Sequence, residues 1–346
     1  MELNFDYSEV YNALSDEAVH RLQALGVDGA DANALASLSF EGVIEQLTQM
    51  AGESFQSPLK ALITLTAALI LCAMLSVYKN SLSCGISDTV QVVTALCVSC
   101  AVAVPAIGCI NASGGVIANA ANLFIAFIPV AVAMAAASGK GFGAVSAQLW
   151  MLGAGQGVAR LSSDFILPLM NIFLGISVTA GIAPEVRLHS ICELIAKAAK
   201  WLLGFSMAVF TAVMSIRGIA AGALDSVGAR AARFALSSFV PMVGGALSEA
   251  YLTVQSSLHV LKSGLGIFVI LGIAITFLPS VLQCAGWSFC LFAGKAFAEM
   301  MGIDICVALL DSLRLVFSTL LAVLLCAMSV FIISAAMFFT IGGESA

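Results

Sequence analysis

The chain has 346 residues, of which 61% are hydrophobic and only 10% charged, and its mean hydropathy is +1.06. Soluble domains are about 45–50% apolar and about 25% charged, and one core cannot hide this much apolar surface from water, so lipid must solvate part of it. A soluble enzyme, a nucleic-acid-binding domain and a disordered chain are excluded on that ground. The net charge of -6 divides unevenly. Residues 1–58 hold ten acids against the single base Arg21, whereas residues 59–346 hold ten acids and thirteen bases. The expected layout is an acidic, wet head on a mildly basic membrane body.

No signal-peptide pattern is read at the front: Glu2 and Asp6 follow Met1, and no long apolar run precedes Pro58. The head, residues 1–58, reads as two short amphipathic helices. Tyr11, Leu14, Ala18, Leu22 and Leu25 recur at spacings of three and four, with Gly26 as a stop. Ser39 caps a second helix carrying Phe40, Val43, Leu47 and Met50 and ending at Gly52. Two such helices bury too little to fold alone, so they need a partner, the membrane surface or the body to pack on.

Ser57-Pro58 reads as a helix start. The first membrane block, residues 59–223, then offers apolar spans at Leu59 to Val77, Thr89 to Ile110, Val116 to Ala137, Phe165 to Ala183 and Trp201 to Ala223. Ala144 to Val158 is a weaker, glycine-rich candidate. It is kept because crossing there would place Arg187, Lys197 and Lys200 on the basic inner side. The same loop charges put the acidic head outside the cytoplasm. In the last block, residues 264–346, Leu265 to Leu282 reads as a span and Val281 to Ala298 as an interfacial or re-entrant helix, because it contains Gln283 and Lys295. Leu313 to Ile341 closes the chain and is too long to cross upright. The expected fold is all-α, a polytopic helical membrane protein with about seven spans.

Between those blocks, residues 224–263 read as an amphipathic or re-entrant helical hairpin. Asp225, Arg230 and Arg233 share a first limb, and Phe239-Val-Pro241-Met with Gly244-Gly245 breaks it. Leu247, Tyr251, Val254, Leu258 and Leu261 form a heptad-like seam on the second limb, beside Glu249. Asp225, Arg230, Arg233, Pro241, Glu249 and Tyr251 are therefore the candidate pore or subunit-contact residues, against the plainer reading of a surface helix pair. Gly153 with Gly157, and Gly218 with Gly222, have the spacing of close helix contacts. Asp311 and Arg314, three apart, are a candidate intramembrane ion pair.

The order and spacing of several motifs resemble the stage III sporulation protein AE family. The likeness runs through Phe127-Ile-Pro-Val130, Ala136-Ala-Ser-Gly139, Phe165-Ile-Leu-Pro168 and Val213-Met-Ser-Ile-Arg-Gly218 to Asp225, Arg230, Ala232-Arg-Phe234 and Phe239-Val-Pro-Met-Val-Gly244, and covers roughly residues 60–340. The resemblance implies a multi-pass component of the channel joining mother cell and forespore. The implied partners are an ATPase-like protein, small membrane subunits and ring-forming proteins, together with membrane lipids and other copies of this chain. The implied location is the mother-cell membrane around the forespore. The family typically begins with an export signal, a pattern not read here. It supplies no catalytic residues.

The sequence carries no HExxH, P-loop or dinucleotide-binding pattern, so no enzyme, cofactor or metal is expected. Cys97-Val-Ser-Cys100 has thiol-motif spacing but lies in an uncharged stretch with no second pair, and reads as packing. Three functions from different classes remain: a channel subunit, a stand-alone secondary transporter built on proline-broken helices, and a non-conducting scaffold.

Overall fold

The computed structural model describes residues 11–24, 40–78, 84–137, 153, 156–158, 160–182, 188–239 and 244–343. Every element among them is helical: α1 (Asp16–Ala24), α2 (Phe40–Tyr78), α3 (Cys84–Ala137), a π-helical turn (Ser162–Ile166) leading into α4 (Leu167–Ile182), α5 (Leu188–Phe239), α6 (Gly244–Met300) and α7 (Asp304–Gly343). Among the described residues, five helices are long and apolar enough to cross a membrane: Thr48–Leu71, Ala95–Ala133, Ser190–Val213, Gly266–Met300 and Asp304–Ala336. The all-α, polytopic expectation holds. A count of seven spans does not follow, because several expected elements are fused.

Thr89 to Ile110 and Val116 to Ala137, expected as two spans, are one helix of 54 residues. The Asn111 to Gly115 stretch between them reads as a turn but does not act as one. Ser113 Oγ donates to the Cys109 carbonyl (2.7 Å), and Gly114 lies against the Leu167 side chain, so this polar patch is accommodated inside the helix. Leu265 to Leu282 and Val281 to Ala298 likewise form one helix, α6. Its second part continues the first and packs inside the bundle, with Trp287, Leu291 and Ala298 fully buried. Of the expected hairpin at residues 224–263, the first limb falls on the end of α5 and the second on the beginning of α6, and residues 240–243 between them lie outside the described residues. Phe165 to Ala183 corresponds to α4 and the end of the π-helical turn that leads into it, and Ala183 lies outside the described residues. Most of the candidate segment Ala144 to Val158 lies outside the described residues.

The head folds back on the body. Leu14, Ala18 and Leu22 are buried, and Leu14 with Leu123 of α3 brackets Gly272 of α6. The second head helix does not stop at Gly52, and Pro58 starts nothing: α2 runs through both. At this proline α6 packs closely on α2. Cys290 Sγ donates to the Pro58 carbonyl (2.8 Å), and Phe55 and Pro58 close over Gly286. A Cβ on Gly286 would meet two rigid rings at 3.1 Å. Gly286→Val is therefore expected to lower stability by about 2 kcal/mol, the usual cost of overpacking, read as a lower midpoint in detergent unfolding. Gly52→Ala, which meets nothing within 4 Å, is the neutral comparison.

The centre is aromatic. Phe124 and Phe127 of α3, Phe277 and Trp287 of α6, and Phe317 and Phe331 of α7 are all fully buried. Phe331 meets Phe124 edge-on (5.6 Å) and lies 6.2 Å from Phe277, while Trp287 stacks on Phe317. Partners step backward along α6 as they step forward along α7, from Lys295–Asp311 through Trp287–Phe317 to Phe277–Phe331, so these helices form an antiparallel hairpin. Gly302 closes it at φ 70°, with Ile303 N bonding the Ala298 carbonyl and Gly302 N the Glu299 carbonyl. That pair of bonds is the glycine-terminated helix end, which needs a left-handed residue. Asp304 then opens α7, its charge favourable at a helix N-terminus.

Lengthwise, the bundle is staggered. α2 runs alongside α6 in the same direction, with Pro58 at Cys290 and Leu65 at Gly294. Its remaining thirteen residues, to Tyr78, extend about 20 Å further. α6 itself ends six residues past Gly294, at Met300. The α2 tip thus passes beyond the α6–α7 turn.

Candidate functional site: a charged joint between three helices

Charge inside so apolar a chain is costly and must be matched or wetted. Between Ser263 and Gly294 α6 carries none, and neither does α7 between Leu315 and Gly343, nor α5 between Trp201 and Ile216. All three runs stop at the same place, where Lys200 of α5, Lys295 of α6 and Arg314 of α7 meet. Asp311, Arg314 and Ser318 follow one another at three and four residues along α7 and so share a face.

Lys295 Nζ reaches Asp311 Oδ1 at 2.9 Å, with Glu299 Oε1 at 3.9 Å on its other side. Both members of the close pair are half-buried, 25% and 26% exposed. The expected pair Asp311–Arg314 is present only as a 4.0 Å contact, because Lys295 takes the Asp311 carboxylate. Arg314 instead lays its guanidinium 5.2 Å from the Phe292 ring centroid, a cation–π contact. On the far side of Arg314, Lys200 Nζ donates to Ser318 Oγ at 2.7 Å. The joint thus combines a clamp that ties α6 to α7 with a pair of cations, Lys200 and Arg314, on the α5 side. A clamp holds helices in register; the cation pair attracts an anion.

The other candidate residues are not brought to this joint by any described contact. Asp225, Arg230 and Arg233 lie on the last turns of α5, and Glu249 and Tyr251 on the first turns of α6. Their side chains, and Pro241 altogether, lie outside the described residues. Gly218 and Gly222 also fall in that part of α5. Gly153 and Gly157 are exposed, and a Cβ on either would meet nothing within 4 Å, so neither packs against another described helix. The close glycine contacts are instead at Gly114, Gly272 and Gly286. Cys97 and Cys100, expected to serve packing, are exposed; Cys109, Cys192, Cys284, Cys290 and Cys306 are buried. Among the described residues, no three His, Cys, Asp or Glu side chains gather as a metal site would require.

Lys295 stands in the sequence as a lone charge in an apolar stretch and Lys200 as a loop charge; the shared end of three uncharged runs is the signal that points to both.

Fold and site together define an all-helical, multi-pass membrane protein whose long apolar helices are tied by a charged joint. The family model "Stage III sporulation protein AE" matches residues 32–342, and the chain belongs to that family. It is 27% identical over 223 residues to "Stage III sporulation protein AE" of Bacillus subtilis (strain 168), which covers 62% of this chain and 54% of that protein. The match thus spans about half the length of the curated relative. No solved structure matches the chain.

Proposed function

We propose that this protein is a non-enzymatic membrane subunit of a sporulation-specific secretion or feeding channel between mother cell and forespore, acting by assembly with other channel subunits and with copies of itself. Its place is the mother-cell membrane around the forespore, with the N-terminal head outside the cytoplasm. Family membership supports the sporulation role. One structural observation supports assembly: the apolar helices are longer than a bilayer can cover. The Ala95–Ala133 apolar stretch of α3 is 39 residues, about 58 Å, against about 30 Å of hydrocarbon. The α2 tip, with Leu71 and Met74 exposed, also projects beyond the turn that ends α6. What lipid leaves uncovered has to be covered by protein.

The test is affinity capture of the tagged, full-length chain from sporulating cells in mild detergent, followed by native-gel sizing. The expected result is a species far larger than one 35.6 kDa chain in its detergent belt, containing other membrane and ring-forming sporulation proteins. A strictly monomeric, partner-free species would overturn the reading.

A further inference from the structure

We infer that the α5 side of the charged joint is a binding site for the phosphate of an anionic lipid headgroup, held by Lys200, Arg314 and Ser318.

The inference starts from local charge. Five ionised groups meet at the joint, three cations and two carboxylates, and both carboxylates are on the Lys295 side. Asp311 is 2.9 Å from Lys295 and 4.0 Å from Arg314, and Glu299 is 3.9 Å from Lys295. Lys200 forms its hydrogen bond with a neutral hydroxyl, Ser318 Oγ. Since Ser318 is one turn from Arg314 on the same face of α7, the fold holds two cations side by side, while Asp311 divides its carboxylate between Lys295 at 2.9 Å and Arg314 at 4.0 Å. Like charges are held together at a cost unless an anion lies between them. The donors present fit phosphate best: a guanidinium fork, an ammonium and a hydroxyl. Arg314 is 41% exposed and Lys200 is exposed, so the site is open from outside the bundle.

Position selects the lipid source. The site lies at the one end that the uncharged runs of α5, α6 and α7 share, which is where headgroups meet acyl chains for these helices. Trp201, the next residue after Lys200, is 70% exposed and stacks on Phe205 (5.7 Å, 8°). An exposed tryptophan beside a lysine at the end of an apolar run is the usual composition of that zone. The inference stands whether or not the protein belongs to a channel.

The experiment is native mass spectrometry of the full-length chain in neutral detergent. Phosphatidylglycerol, phosphatidylcholine or inorganic phosphate is added at equal concentration. Retention of one phosphatidylglycerol in clear preference to phosphatidylcholine is expected. Lys200→Gln should weaken it about fivefold, the effect of one basic residue near an anionic surface, and Ser318→Ala by less. Lys197→Gln removes an equal charge one turn away, from a residue already paired with Glu193 at 2.9 Å, and should leave retention unchanged. Equal retention of both lipids overturns the inference, as does an equal loss in Lys197→Gln and Lys200→Gln. Competition by millimolar inorganic phosphate would keep the phosphate chemistry but overturn the lipid source.

Discussion

Replacing Asp311 with leucine is expected to lower the stability of the protein by about 2 kcal/mol. The figure lies between two limits. An exposed ion pair contributes about 0.2–1 kcal/mol, and breaking a fully buried one costs about 3–5 kcal/mol because a charge is left without a partner. Lys295 and Asp311, each about a quarter exposed, fall between. In Asp311→Leu the Lys295 ammonium keeps, among the described residues, Glu299, at 3.9 Å and 55% exposed. The double variant Lys295→Met/Asp311→Leu removes both charges and fills the space with apolar atoms, so it should return to within about 1 kcal/mol of the parent. Asp311→Asn keeps a hydrogen-bond acceptor and should cost less than the leucine. Detergent unfolding of the parent, Lys295→Met, Asp311→Leu and the double variant closes a double-mutant cycle. A double variant as unstable as Asp311→Leu alone would show that the loss comes from packing and not from the stranded lysine.

How much of this was legible beforehand differs with the kind of signal. Apolar content and period carry the helical membrane class, whereas proline and glycine, which change the local backbone, are weaker markers of where a helix ends. The same residue types misled at Pro58, Gly52 and Asn111 to Gly115. There a neighbouring helix compensates: Cys290 and Gly286 receive Pro58, and Leu167 covers Gly114. Such compensation joins residues far apart in the chain, and no local pattern contains it. The glycine contacts show the same limit. Gly153 and Gly157 have the favoured spacing of four, yet face no described neighbour, whereas Gly272 and Gly286 lie two heptads apart on one face of α6 and meet Leu14 of the head, α3 and α2. Spacing shows which residues share a face, and only tertiary structure shows what the face meets. The Asp311–Arg314 pair was read from spacing on one helix. Its stronger partner, Lys295, comes across the hairpin that Gly302 closes.

Trp287→Ala is expected to be the most damaging single change, at about 4 kcal/mol, within the range for truncating a buried aromatic side chain. Trp287 is fully buried between α6 and α7, stacked on Phe317 at 5.4 Å and 11°. Its indole Nε1 has no hydrogen-bond partner among the described residues. A buried N–H left unbonded costs about 1–3 kcal/mol, so the ring must contribute more than that through packing for the residue to be tolerated. This separates two substitutions. Trp287→Phe keeps an aromatic ring against Phe317 and removes the unbonded N–H, so its cost should stay below about 1.5 kcal/mol. Combining Trp287→Ala with Phe317→Ala should then cost less than the two singles added, by about 1 kcal/mol, the coupling of a stacked pair. Trp201 supplies the control. It is also stacked, on Phe205, but it is 70% exposed, and its truncation should change stability by under about 0.5 kcal/mol. If Trp287→Phe were as destabilising as Trp287→Ala, the indole nitrogen would have to be making a bond that the fold does not show, and packing would no longer explain the residue.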